Sequence, residues 1–166
     1  SRAVRSPPHS RNRPTSYVTW PSGQVALKAL APDYWPGIVS KRIAYADQTA
    51  FSLHLGTNGE VTVDVGEESD RFVSTELLDV ASWRHVAFVY DGGAEATQRV
   101  RLYIDGELDT VAFAEESSIA PSSADLLVGN LVNGGSVLEG RIDEVAIWLR
   151  ALAPAEIQAL FSGPVE

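Results

Sequence analysis

The residues able to do chemistry fall into a few small groups. Asp33-Tyr34-Trp35 lies between Pro32 and Pro36. An aromatic wall with a few polar anchors suits a sugar: the ring takes its CH face and the polar groups take its hydroxyls. Tyr45 and Asp47, in another loop, and the polar His54 are placed to join that group. The competing reading has Tyr34 and Trp35 plugging the edge of a sheet. The acidic pairs Glu67-Glu68 and Glu115-Glu116 lie in loops or point to opposite faces of a strand, which reads as solvated charge. His9, His54 and His85 are far apart, without metal-site spacing. His85 lies in an apolar run and reads as a hydrogen-bonded core histidine. The sequence contains no Gly-x-Ser-x-Gly elbow, phosphate loop or Gly-x-Gly-x-x-Gly stretch.

The elements that must hold these residues are strands. Phe51-Ser52-Leu53-His54-Leu55 and Val61-Thr62-Val63-Asp64-Val65 alternate apolar and polar, with Asn58-Gly59 between them. This predicts an antiparallel hairpin with Phe, Leu and Val inward and Ser52, His54, Thr62 and Asp64 outward. A second hairpin runs from Arg99 to Ile104, turns at Asp105-Gly106, and returns from Glu107 to Val111. Residues 83–90 and 142–149 are nearly continuous apolar runs and read as central strands buried on both faces. Further strands are expected at 38–42 and 126–128. The one helix begins at Pro154, which suits a first helical turn, and ends at Gly163-Pro164. Residues 21–36 read as a loop with at most one short strand.

The chain has 166 residues, 45% hydrophobic and 21% charged, a balance that fits one folded domain. It has no apolar run long enough to cross a bilayer, so membrane insertion is not expected. Cysteine is absent, which removes disulfides, thiolate metal sites and cysteine catalysis. Methionine is absent too, and the chain reads as an excised domain or a processed product. Residues 1–20 show no signal-peptide core. The net charge of −9 is uneven: residues 1–32 contain five basic residues and no acid. The acidic remainder repels phosphate and argues against nucleic acid as a partner. Residues 1–14 read as a basic, Pro- and Ser-rich leader lacking order, and 15–166 as the domain.

Several segments, taken in order, resemble one family. They are Trp83-Arg84-His85-Val86-Ala87-Phe88-Val89-Tyr90-Asp91-Gly92, Arg101-Leu102-Tyr103-Ile104-Asp105-Gly106, Gly140-Arg141-Ile142-Asp143-Glu144-Val145-Ala146-Ile147-Trp148, and Arg150-Ala151-Leu152 with Glu156-Ile157. The series is similar to the laminin-G-like, concanavalin A-like lectin jelly roll, in its bacterial, pentraxin-related form, over about residues 38–161. The resemblance implies an all-β fold, a two-sheet antiparallel jelly-roll β-sandwich with one short C-terminal helix over one end. It also implies a secreted or cell-surface module that binds glycans or extracellular proteins, or acts as a spacer beside other domains. The family's opening strand, with its Asp-Gly-x-x-Asp-Tyr-Val-like pattern, is missing here, and residues 15–20 match its second strand. A sheet edge left unfilled would invite association between copies.

The resemblance also raises calcium, through Asp143 of the Gly-x-Ile-Asp-Glu pattern and Asn130 and Asn133 of the nearby loop. That loop has Leu131 and Asn133 where a pentraxin-type double site needs acids. Glycan-cleaving relatives carry two glutamates flanking an aspartate on one strand. Glu139, Asp143 and Glu144 do not reproduce that spacing. No catalytic residue is therefore expected.

Overall fold

A computed structural model describes residues 17–19, 23–27, 35–44, 50–66, 71–80, 82–132 and 135–163. Thirteen strands follow in order: β1 (Tyr17–Thr19), β2 (Gly23–Leu27), β3 (Gly37–Ser40), β4 (Phe51–Leu55), β5 (Glu60–Val65), β6 (Arg71–Leu77), β7 (Trp83–Asp91), β8 (Val100–Ile104), β9 (Glu107–Ala112), β10 (Leu127–Val128), β11 (Asn130–Val132), β12 (Gly135–Val137) and β13 (Gly140–Asp143). A 3-10 turn at Ala96–Gln98 lies between β7 and β8, and one α-helix, α1 (Pro154–Ser162), follows the strands.

The strands form two main antiparallel sheets. The first runs β13-β2-β7-β8-β9, with β1 beside β7, and the second runs β10-β3-β4-β5-β6. Their inner faces meet in one core. Leu53, Leu55, Val61 and Val63 from the second sheet pack with Val86, Phe88, Leu102 and Ile104 from the first. Period-two alternation aims each set inward. Burying one such side chain stabilises by roughly 1.5–3 kcal/mol.

Both hairpins form, with Phe51 opposite Val65 and Val100 opposite Ala112. Asp105 and Gly106 both have positive φ, at 50° and 79°, as a type I′ turn requires. The 56–59 turn differs. Only Gly59 is left-handed there, at 93°, because a four-residue loop needs a single reversal. The sandwich closes along one side through Asp109, whose carboxylate accepts from the Thr75 and Glu76 amides at 2.8 Å each.

Four expectations need correction. Residues 142–149 are not a buried central strand. β13 stops at Asp143, Glu144 takes a left-handed φ of 52°, and Leu149 is 86% exposed. The loop after Gly129 is a small hairpin, β11 with β12. The helix does not cover an end of the sandwich but lies on the outer face of the first sheet, where Ile157 and Leu152 pack on Ala87, Val89 and Tyr103. His85 is buried, but neither ring nitrogen has a hydrogen-bond partner among the described residues. The leader at 1–14 lies outside the described residues.

Candidate functional site on the outer face of the second sheet

The polar residues of the first hairpin do point away from the core. They are nevertheless buried: Ser52, His54, Thr62 and Asp64 each expose less than a tenth of their surface. β11 lies across this face and sets Leu131 against it. Gly37 permits that approach, since a Cβ there would sit 2.2 Å from the carbonyl carbon of Asn130.

Strand register assembles the site. Ser52 lies opposite Asp64, and Asp64 opposite Arg71. The Arg71 guanidinium donates from Nε to Asp64 Oδ1 at 2.8 Å, and Ser52 Oγ donates to Oδ2 at 3.2 Å. Arg42 donates to the Gly66 carbonyl at 3.1 Å. Above this network sits Trp35, 42% exposed. Its ring centroid is 6.4 Å from that of His54, and the Arg71 guanidinium carbon is 5.4 Å from the Trp35 centroid. That distance is a cation–π contact, which fixes both side chains.

His54 is neutral at ordinary pH. Burial lowers its pKa from 6.5 to about 4, against the opposing pull of Asp64, with Arg71 and Arg42 pushing the same way as burial. Ser52, His54 and Asp64 are not a hydrolytic triad. Ser52 Oγ, at 3.5 Å, and Asp64 Oδ2, at 3.9 Å, both face the same ring nitrogen, Nδ1. A triad needs the nucleophile and the acid on opposite nitrogens. The cavity enclosed by the cluster measures about 10 Å³, room for about one water. A sugar ring does not fit within the network.

Of the residues the sequence singles out for a glycan, the structure brings Trp35 and His54 together. Asp33, Tyr34, Tyr45 and Asp47 lie outside the described residues. Arg42, Ser52, Asp64 and Arg71 carry no motif, though the 52–64 pairing was implicit in the hairpin.

The metal candidates are less assembled. Asp143 is exposed, and its Oδ1 accepts from the Glu144 amide at 2.8 Å. Asn130 Oδ1 is buried with no hydrogen-bond partner among the described residues, while Asn133 lies outside them. Among the described residues no three acidic or imidazole groups converge. That donor set does not make up the 6–8 oxygens calcium takes.

A wider groove of about 780 Å³ separates α1 from the 144–152 segment, with Trp148, Leu160 and Phe161 in its walls. It also holds Glu144 and Glu156. Glu156 takes two hydrogen bonds from Arg150, at 2.6 and 2.8 Å, and one from the Ala153 amide at 2.9 Å. The Arg150 bonds, helped by the amide, hold its pKa down at about 2. A glycosidase acid needs the reverse, a pKa raised toward neutrality.

A family model for the concanavalin A-like lectin/glucanases superfamily matches residues 15–158. The chain belongs to that superfamily. Among solved structures, a candidate carbohydrate-binding protein from Bacteroides ovatus superposes with a TM-score of 0.69 at 18% identity, over 87% of this chain and 40% of its own. The heptameric SAP-like pentraxin of Limulus polyphemus gives 0.65 at 14% identity, over 89% and 70%. The CBM40 module of the Ruminococcus gnavus IT-sialidase gives 0.65 at 16%, over 89% and 83%, and has also been solved with α2,3-sialyllactose. At these identities the likeness establishes the shared jelly-roll sandwich. The chain spans less than half the length of the Bacteroides ovatus protein. No curated protein is a sequence match for it.

Proposed function

We propose that this domain is a non-catalytic carbohydrate-binding module of a larger secreted or cell-surface protein, with its ligand over Trp35. The observation that carries this reading is the exposed Trp35 ring held by Arg71 and His54 on the outer face of the second sheet. A sugar needs a rigid apolar platform beside fixed polar groups, and little ordering cost then remains on binding. Carbohydrate-binding neighbours of the same fold support the class of ligand. The paired state of Glu156 and the geometry around Ser52 supply no reactive group, which favours binding over cleavage.

A glycan array followed by titration calorimetry tests the proposal. Trp35→Ala should abolish the affinity found for wild type while costing about 1–3 kcal/mol of stability for the packing and cation–π contact it loses, so that the variant still unfolds in one cooperative urea transition. An array without hits, or an unchanged affinity in Trp35→Ala, favours a spacer or protein-interaction module instead.

A further inference from the structure

We infer that the arginine-rich segment 1–14 docks back on its own domain, over the outer face of β9 at the end where Phe113 lies. Register sets Ala87, Tyr103 and Leu108 in one transverse row of the first sheet, and Val89, Arg101 and Val111 in the next. Ile157 of α1 and Leu152 before it pack on Ala87, Val89 and Tyr103. Beyond that cover, Leu108, Val111 and, two residues on, Phe113 are 51%, 45% and 52% exposed. They form an apolar strip that α1 leaves open.

Charge selects the occupant. Arg99 knits the 92–98 loop to the chain after Phe113, donating to the Ala94 and Ala114 carbonyls at 3.3 and 2.9 Å. Glu95, Glu115 and Glu116 are all exposed there, and none of their carboxylates is paired among the described residues. The neighbouring cations are already engaged, Arg99 on those carbonyls and Arg101 at 3.6 Å from Asp91. An apolar strip rimmed by free carboxylates suits a segment that mixes arginine with small apolar residues. Residues 1–14 hold Arg2, Arg5, Arg11 and Arg13, with Ala3-Val4 and Pro7-Pro8 between them, and no acid. A guanidinium over the Phe113 ring gains a cation–π contact while its neighbours meet carboxylates.

Position permits it. β1, which follows the segment, lies beside β7 with Tyr17 opposite Asp91 and Thr19 opposite Val89. Thr19 and Val111 therefore share a transverse row, with β7 and β8 between them. Three strand spacings make that separation about 14 Å. About five extended residues, at ~3.3 Å each, cover it.

The chain has no cysteine, so Ser6→Cys takes a single nitroxide label in the full chain. Proton–nitrogen spectra should then lose the amide signals of residues 111–116 and keep those of β3 and β10, at the far edge of the other sheet. Molar salt, which screens exposed charges beyond about 3 Å, should restore the lost signals. The combined Glu95→Lys, Glu115→Lys and Glu116→Lys variant should restore them at low salt; if it does not fold, the salt series decides. Labelled chain mixed with isotope-enriched, unlabelled chain reads docking between molecules, and its signals should stay intact. Signals kept in the labelled wild type overturn the inference. So does a loss that survives salt or the charge reversal, or one that passes to the unlabelled chain of the mixture. Glycan binding over Trp35, on the other sheet, plays no part in these readings.

Discussion

Protonating His54 in the folded protein should be expensive, and the cost follows from its place in the sheet. The ring is 2% exposed and stands among Ser52, Asp64, Arg71 and Trp35. Burial lowers its pKa from 6.5 to about 4; Asp64 resists this, and Arg71 and Arg42 reinforce it. Between those two values the unfolded chain carries a proton on His54 that the folded chain does not. Stability therefore falls as pH drops from 6.5 toward 4, by up to about 1.4 kcal/mol per pH unit. The total from this one group is about 3 kcal/mol. His54→Gln removes the titration while keeping a polar side chain. Urea unfolding of both proteins, from pH 7.5 down to 4, gives the difference directly. His85 is also lowered by burial, with Asp105 opposing, and it contributes with the same sign to both proteins. The wild-type curve should thus fall more steeply than that of the variant below pH 6.5, and run parallel to it above. Parallel curves throughout would refute the reasoning, as would wild type gaining stability on acidification.

Asp109→Ala should destabilise by about 1–2 kcal/mol, because two edge amides of β6 lose a charged acceptor. Asp109→Asn, which keeps one acceptor oxygen, should lose less; urea midpoints at constant slope measure both. Calcium held by Asp143, Asn130 and Asn133 would bind only the folded state. Since that donor set falls short of a calcium shell, melting temperatures in millimolar calcium and in chelator should coincide, and a higher one in calcium would overturn this.

The sandwich was legible because its strands announce themselves twice, by alternation and by turn chemistry. Asp105-Gly106 fixes one hairpin and the 56–59 loop another, and in each the inward set is apolar. What misled was apolar character without alternation. Residues 85–90 of β7 are buried as the run suggests, because that strand has a sheet neighbour on each side and a helix over its outer face. Residues 144–149 are similarly apolar, yet β13 ends before them. Composition reports that a segment has apolar side chains to bury, not whether a neighbour is present to bury them.

The site was half legible for a related reason. Trp35 and His54 stood out as types, whereas Asp64 and Arg71 matter only through register, opposite Ser52 and one another. Outward-facing polar residues on a strand normally meet water. Here Gly37 lets the backbone of β11 approach the sheet, and the face becomes a buried polar layer. A charge in such a layer must be paired, which accounts for the grip of Arg71 on Asp64 and for a neutral His54. The same pairing ties Trp35 in place through the face of its ring. Asp64→Asn should therefore loosen Arg71 first and the Trp35 platform with it, so the buried hydrogen bonds and the exposed ring belong to a single device.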